Sequence, residues 1–99
     1  MADLCILSTE LNAANGGDPV LDRLIAEAFE QPAAPYTESV ERCRALVAAC
    51  LPQWHLHVGY GVSGVLPYAA LSQGQRHVEA EGPTVPLAIL RALVMAVSA

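Results

Sequence analysis

The spacing of hydrophobic residues changes near Gln53, and this change limits the folds the chain can adopt. Before it, apolar residues recur every three or four positions, which is the period of one helix face. From Trp54 to Tyr60 apolar and polar residues alternate, as in a strand with one buried face. The alternation returns over Arg76–Glu81, and helical spacing resumes after Thr84. The order of helices, three strands and a last helix predicts an α+β fold.

Three helices are predicted before the change of period, at residues 2–14, 19–29 and 37–50. Asp18 followed by Pro19 is a strong start signal, because an acceptor side chain caps the first turn and proline needs no N–H there. Thr37 is the expected N-cap of the third helix, which Pro52 ends. On that helix Cys43 and Cys50 share a face, as small buried hydrophobes do.

Three short strands and a final helix are predicted for the rest of the chain. The strands cover residues 54–60, 65–71 and 76–81, with turns at 61–64 and 72–75. Gly-containing turns of this length favour a three-stranded antiparallel meander, and Pro67 suggests that the second strand is an edge or contains a bulge.

The final helix, residues 85–97, has Arg91 as its only charge. A helix that is apolar nearly all round must be buried on more than one side or cover a partner. We expect it to pack on the sheet together with helix 37–50. The two N-terminal helices are expected to cover an end of the sheet or its other face.

Length and composition predict a single domain over residues 1–99. Hydrophobic residues make up 54% of the chain, which excludes intrinsic disorder. The net charge is −5, with five Arg and no Lys, so nucleic-acid binding is not expected. No apolar run is long enough to span a membrane. The first residues lack a basic segment and a cleavage site, and three cysteines form no disulfide framework, so we expect a cytoplasmic protein.

No motif predicts catalysis or a cofactor. No serine lies in a Gly-x-Ser-x-Gly elbow, although the stretch Gly61 to Gly64 is one residue short of that motif. No phosphate-binding loop is present in the sequence. Glu79 and Glu81 share a strand face, where solvated carboxylates are expected rather than an acid–base pair. We therefore predict a protein that is not an enzyme.

Three histidines form the one candidate metal site. His55 and His57 lie on one face of the first strand, and His77 lies on the third. Zinc needs three or four fixed ligands, so these residues would suit a small metal-binding protein or hydrolase if they met. The preferred interpretation is that they are polar positions on the exposed side of a half-buried sheet, with no metal bound.

Aromatic residues are the candidates for contact with a partner, namely Trp54, Tyr60 and Tyr68. Trp54 and Tyr60 fall on the apolar face of their strand, which favours core packing for both. A further alternative is an acidic mimic of nucleic acid. It would require the acidic residues of the N-terminal half to form one patch: Asp18, Asp22, Glu27, Glu30, Glu38 and Glu41.

Three segments of the sequence resemble a known family. They are GDPVLDRLIA at residues 17–26, PYTESV at 35–40 and EAEGPTVPLAILRAL at 79–93. Together they resemble the phage ABA sandwich domain family over roughly residues 17–97. Residues 1–16 would then be an N-terminal helix and turn before a family-like region at 17–99. The resemblance implies a layered α/β sandwich and a phage or prophage gene, and it carries no established activity or site residues.

The sequence thus predicts a phage or prophage accessory protein that acts without catalysis. Its partner would be another protein or a second copy of itself. The alternatives are the metal-binding protein or hydrolase at His55, His57 and His77, and the acidic mimic.

Overall fold

A computed structural model describes residues 4–60 and 66–98 of the chain. Within these residues it has four α-helices, a three-stranded sheet and a short 3-10 turn at Tyr36–Glu38. The bounds are α1 Leu4–Ala13, α2 Pro19–Ala28, α3 Val40–Cys50, β1 His55–Tyr60, β2 Pro67–Gln73, β3 Arg76–Glu81 and α4 Val85–Ser98. The predicted α+β fold, with a meander between the early helices and the last one, is confirmed.

The sheet is antiparallel in the order β1-β2-β3, so β2 is the central strand. The prediction that Pro67 marks an edge or a bulge was wrong. Pro67 is instead the first residue of β2, where a missing N–H is tolerated. The second turn is tight, with Gln73 paired to Arg76 and Gly74 at a φ of 60°. The predicted turn at 61–64 and the start of the second strand at Val65 lie outside the described residues.

Helix α2 begins as predicted. The Asp18 carboxylate accepts from the backbone N–H of Val20 at 2.9 Å and of Leu21 at 3.3 Å, and Pro19 is the first helical residue. Two of the N–H groups that a helix start leaves without partners are therefore satisfied by one side chain.

Helix α3 begins two residues later than predicted, because Ser39 and not Thr37 is its N-cap. The Ser39 hydroxyl accepts from the N–H of Arg42 at 3.2 Å. Thr37 is buried in the 3-10 turn, where its hydroxyl donates to Asp22 Oδ1 at 2.7 Å and accepts from the N–H of Asp18 at 2.8 Å. The Thr37 N–H also donates to Asp22 Oδ1, at 2.7 Å. These bonds join the turn to the start of α2.

Helix α4 is the centre of the core. Eight of its residues are buried, namely Leu87, Ala88, Ile89, Leu90, Ala92, Leu93, Val94 and Ala96. One side of α4 packs on β2 and β3, and other sides pack on α1 and α3. The predicted burial of this helix on more than one side is therefore confirmed.

The early helices lie on the same side of the sheet as α4. Helices α1 and α3 pack mainly on α4, and α2 packs on α1 and the 3-10 turn. Helix α3 therefore lies against α4, and not beside it on the sheet as was predicted for helix 37–50. The early helices do not form a layer on the other face of the sheet, which was one of the two positions predicted for the N-terminal helices. The result is a layered molecule with the sheet outside, α4 in the middle and the early helices beyond it. In the part of the chain that the structure describes, no helix is long and apolar enough to cross a membrane.

Candidate functional site

One face of the sheet points away from α4, and we call it the open face. Directly paired residues of antiparallel strands share a face, so the register defines its members. They form three rows across β1, β2 and β3: His55, Ser72 and His77; His57, Ala70 and Glu79; Gly59, Tyr68 and Glu81. The three histidines and both glutamates are exposed. None of the described helices packs on this face.

The opposite face carries the apolar half of each strand. Ala69 and Leu71 of β2 are fully buried, and Val58, Val78 and Ala80 pack partly against the core. The alternation read from the sequence therefore places apolar and polar residues on the faces it predicts for β1 and β3.

Tyr68 is held in place on the open face by its neighbours on β1. Its hydroxyl lies 3.1 Å from Nε2 of His57, and the two rings are tilted by 47° with centroids 5.8 Å apart. The ring lies over Gly59, where an added Cβ would come within 3.2 Å of the ring carbon Cε1. Gly59 thus leaves room for Tyr68 to lie along the strand.

His77 and Glu79 form an ion pair on the same face when the imidazole is protonated. Nε2 of His77 is 3.3 Å from the Glu79 carboxylate, and both side chains are more than half exposed, at 56% and 55%. Exposed pairs of this kind stabilise a fold little, because water screens them. The pair therefore places polar groups at the surface without fixing the fold.

The three candidate metal ligands share the open face but do not converge. Strand β2 lies between His77 and the two histidines of β1. The His57 imidazole meets Tyr68, and the His77 imidazole meets Glu79. Among residues 4–60 and 66–98 no group of three or more His, Cys, Asp or Glu could hold a metal ion.

Sequence reasoning missed Ser72, which the register places between His55 and His77. In the described residues its hydroxyl makes no hydrogen bond with either imidazole. His55 and His77 are exposed and Ser72 is half-buried. General acid–base work needs a base in hydrogen-bonding reach of the proton it takes, and neither imidazole is in such reach of the Ser72 hydroxyl. Ser63, in the turn that comes nearest to a serine elbow, lies outside the described residues.

The three candidate aromatic contacts have different surroundings. Trp54 is half-buried, and the guanidinium carbon of Arg76 lies 4.9 Å from the centre of its ring. Tyr60 lies at the end of β1 and is 65% exposed, so the core packing predicted for it was wrong. Tyr68 belongs to the open face. Tyr60 and Tyr68 therefore lie near the same end of the sheet but on opposite faces, with Tyr60 exposed and Tyr68 half-buried.

Two of the six acids of the proposed mimic patch have structural roles. Asp18 caps α2, and Asp22 accepts from Thr37. These bonds occupy oxygens that a phosphate-like surface would have to present to a partner.

The thiols of Cys43 and Cys50 contribute to packing and are poorly reactive. Cys43 is fully buried and its thiol donates to the carbonyl of Tyr36 at 2.9 Å. Burial raises the pKa of Cys43 to about 12, and it also raises the pKa of the half-buried Cys50. A thiol with a raised pKa is a poor nucleophile. The prediction that Cys43 belongs to the core is confirmed.

Comparison of the chain with protein-family models, with curated proteins and with solved structures found no match.

Proposed function

We propose that this chain is a non-catalytic binding domain, encoded by a phage or prophage, that contacts another protein inside the host cell through its open face. The observation that carries the proposal is the one-sided cover of the sheet. Helix α4 packs on one face, and no described helix packs on the other. The second face carries His57, Tyr68 and Glu79 in contact with solvent or with one another.

The chemistry of the open face supports binding rather than catalysis. Its histidines and glutamates are exposed to water, so none is desolvated as tuned catalytic acids and bases are. The face nevertheless combines an aromatic ring, imidazoles and carboxylates around the small residues Ala70 and Ser72. Such a mixture suits hydrogen bonding and side-chain packing with another protein.

The charge of the open face indicates which partner would suit it. Glu79 and Glu81 are the only carboxylates in the three rows of the open face. Arg76, the Arg of the three strands, lies over Trp54 on the other face, so the open face has no Arg. The whole chain, with these two carboxylates included, carries a net charge of −5. A partner that presents Lys or Arg side chains is therefore favoured in encounter and in orientation. The same negative charge disfavours nucleic acid.

The phage or prophage origin rests on the three sequence segments that resemble the phage ABA sandwich domain family. The resemblance supplies no binding residues, so the open face is argued from its own geometry.

Affinity capture with paired charge reversals tests the proposal. The purified chain is used to capture proteins from an extract of phage-infected host cells, at low and at high salt. We expect Glu79→Lys with Glu81→Lys to lose a protein that the unaltered chain retains at low salt. The control, Glu10→Lys with Glu27→Lys, makes the same charge change at exposed positions on α1 and α2. It is expected to retain the protein.

Two results would contradict the proposal. One is equal retention of the captured protein by the open-face variant and the control. The other is the absence of any protein retained specifically by the unaltered chain.

A further inference from the structure

Strand β1 has a backbone edge with no strand partner in the described part of the chain. The sheet order is β1-β2-β3, so β1 pairs only with β2 along residues 55–60. Of the elements described, β2 is also the only one with which β1 makes extensive contact. An edge of this kind presents N–H and C=O groups that another strand can pair with.

The edge of β1 lacks the devices by which sheets prevent such pairing. Its six residues, HLHVGY, include no proline and no Asp, Glu, Lys or Arg. The opposite edge strand is different, because β3 carries Arg76, Glu79 and Glu81. The carbonyl of Glu81 also accepts from Nη1 of Arg91 at 3.0 Å. Charged side chains commonly protect edge strands, so the two edges of this sheet are not equivalent.

The apolar side of β1 extends past the cover of α4. Helix α4 packs on β2 and β3, and β1 lies beyond them. Leu56 and Val58 are half-buried, and Tyr60 is 65% exposed. Pro67, the first residue of β2, pairs with Tyr60. Leu66, the residue before Pro67, is 40% exposed. The open edge is therefore accompanied by accessible apolar surface.

We infer that β1 pairs antiparallel with β1 of a second copy of this chain, to form a continuous six-stranded sheet. A two-fold axis perpendicular to the sheet keeps like faces together, so apolar residues of one copy meet apolar residues of the other. A register centred on Val58 places Leu56 of one copy beside Tyr60 of the other.

The distribution of charge favours this edge as the place where two copies can meet. Two chains that each carry a net charge of −5 repel one another. Strand β1 contributes no formal charge to its edge, so self-pairing there places no carboxylate opposite its own equivalent. This interface uses the edge of the sheet and leaves the open face accessible. Failure of either proposal therefore leaves the other standing.

Sedimentation velocity of the purified chain over a range of concentrations tests the inference. We expect a dimer of twice the 10.4 kDa chain mass. The dimer should be weak and should form only as the concentration rises, because one strand pair buries less than the ~1,200 Å² of a standard stable interface. Tyr60→Lys should weaken the dimer about tenfold or more, because it places a charge at the apolar junction.

The matched control is Met95→Lys, at a position on α4 that is 45% exposed. It should dimerise like the unaltered chain. A chain that stays monomeric over the whole concentration range would overturn the inference. Equal loss of the dimer in both variants would also overturn it.

Hydrogen exchange locates the interface without any substitution. Amides within His55–Tyr60 should gain protection as the concentration rises through the dimerisation range, and amides of β3 should not. Protection gained at β3 or on the helices, with β1 unchanged, would show that the copies meet elsewhere and would overturn the proposed edge.

Discussion

Arg91 on α4 donates from Nε and Nη2 to the carbonyl of Leu11 on α1, at 3.1 Å and 2.9 Å. Nη2 also reaches the carbonyls of Asn12 at 3.2 Å and Ala14 at 3.3 Å. The last turn of α1 has no basic residue of its own, so the Arg91 cation supplies donors to the carbonyls at this helix end; the Leu11 carbonyl also accepts from the N–H of Ala14 at 3.3 Å. With its bond to Glu81, one guanidinium joins the end of α1, the end of β3 and α4.

Arg91→Met should lower the free energy of unfolding by about 2–4 kcal/mol, because charged hydrogen bonds to several carbonyls are lost together. Arg91→Lys should lose about half as much, since one ammonium cannot reproduce the geometry of a guanidinium. Urea unfolding followed by circular dichroism measures both. Arg44→Met, at an exposed position on α3, is the control and should change stability by less than about 0.5 kcal/mol. Equal stability of the Arg91→Met and Arg44→Met variants would contradict the joining role of Arg91.

Thr37→Val should destabilise the protein by about 2–3 kcal/mol. The substitution keeps the shape of the buried side chain but removes the acceptor for the N–H of Asp18 and one donor to Asp22. Thermal and urea unfolding measure the change. Thr9→Val on α1 makes the same chemical change at an exposed position and should cost less than about 0.5 kcal/mol. Similar losses in the two variants would show that the Thr37 bonds do not stabilise the junction.

The sequence predicted α2 and the strands because their signals are local. Asp18 with Pro19 marks a helix start within a few residues, and alternation marks strand faces within six. The predicted N-cap of the third helix, Thr37, was wrong because Thr37 and Ser39 are both acceptable N-caps when only the local sequence is considered. The choice between them depends on Asp22, which lies 15 residues before Thr37 and bonds to it.

The sequence predicted which residues belong to the candidate site, but it did not predict how they are arranged. Alternation places His55 and His57 on the polar face of one strand, and the structure shows this. The position of Ser72 between His55 and His77 depends on the register of all three strands. The second hairpin sets the pairing of β2 with β3 only, and the pairing of β1 with β2 is set separately. Alternation within one strand does not set its pairing with the next strand, so spacing alone could not give the rows. The exposure of Tyr60 depends on how far α4 extends over the sheet, which is a property of packing.

Gly82→Ala should lower stability by about 1–3 kcal/mol, because the end of β3 passes close to the start of α4. An added Cβ would lie 2.9 Å from the backbone nitrogen of Ala88, and backbone atoms cannot move aside cheaply. The N–H of Gly82 also donates to the carbonyl of Pro67 at 3.1 Å. Gly16→Ala, where nothing lies within 4 Å of an added Cβ, is the control for urea unfolding. A Gly82→Ala variant as stable as this control would contradict the close approach.

The three cysteines should react with a thiol reagent in a fixed order. At pH 8 the exposed Cys5 should be labelled first, and the half-buried Cys50 should follow. Cys43 should react only after unfolding, because burial raises its pKa to about 12 and leaves almost no thiolate at that pH. Brief labelling with iodoacetamide, followed by peptide mass spectrometry with and without urea, measures the order. Labelling of Cys43 in the native protein at the rate of Cys5 would contradict the core described for α3.

Photo-crosslinking in infected cells tests the binding proposal most directly. A photoreactive amino acid replaces His57, on the open face, or Met95, on the exposed side of α4. We expect a crosslink to a second protein from position 57 and none from position 95. Crosslinking from position 95 alone, or from neither position, would contradict the proposal that the open face of the sheet binds a protein partner.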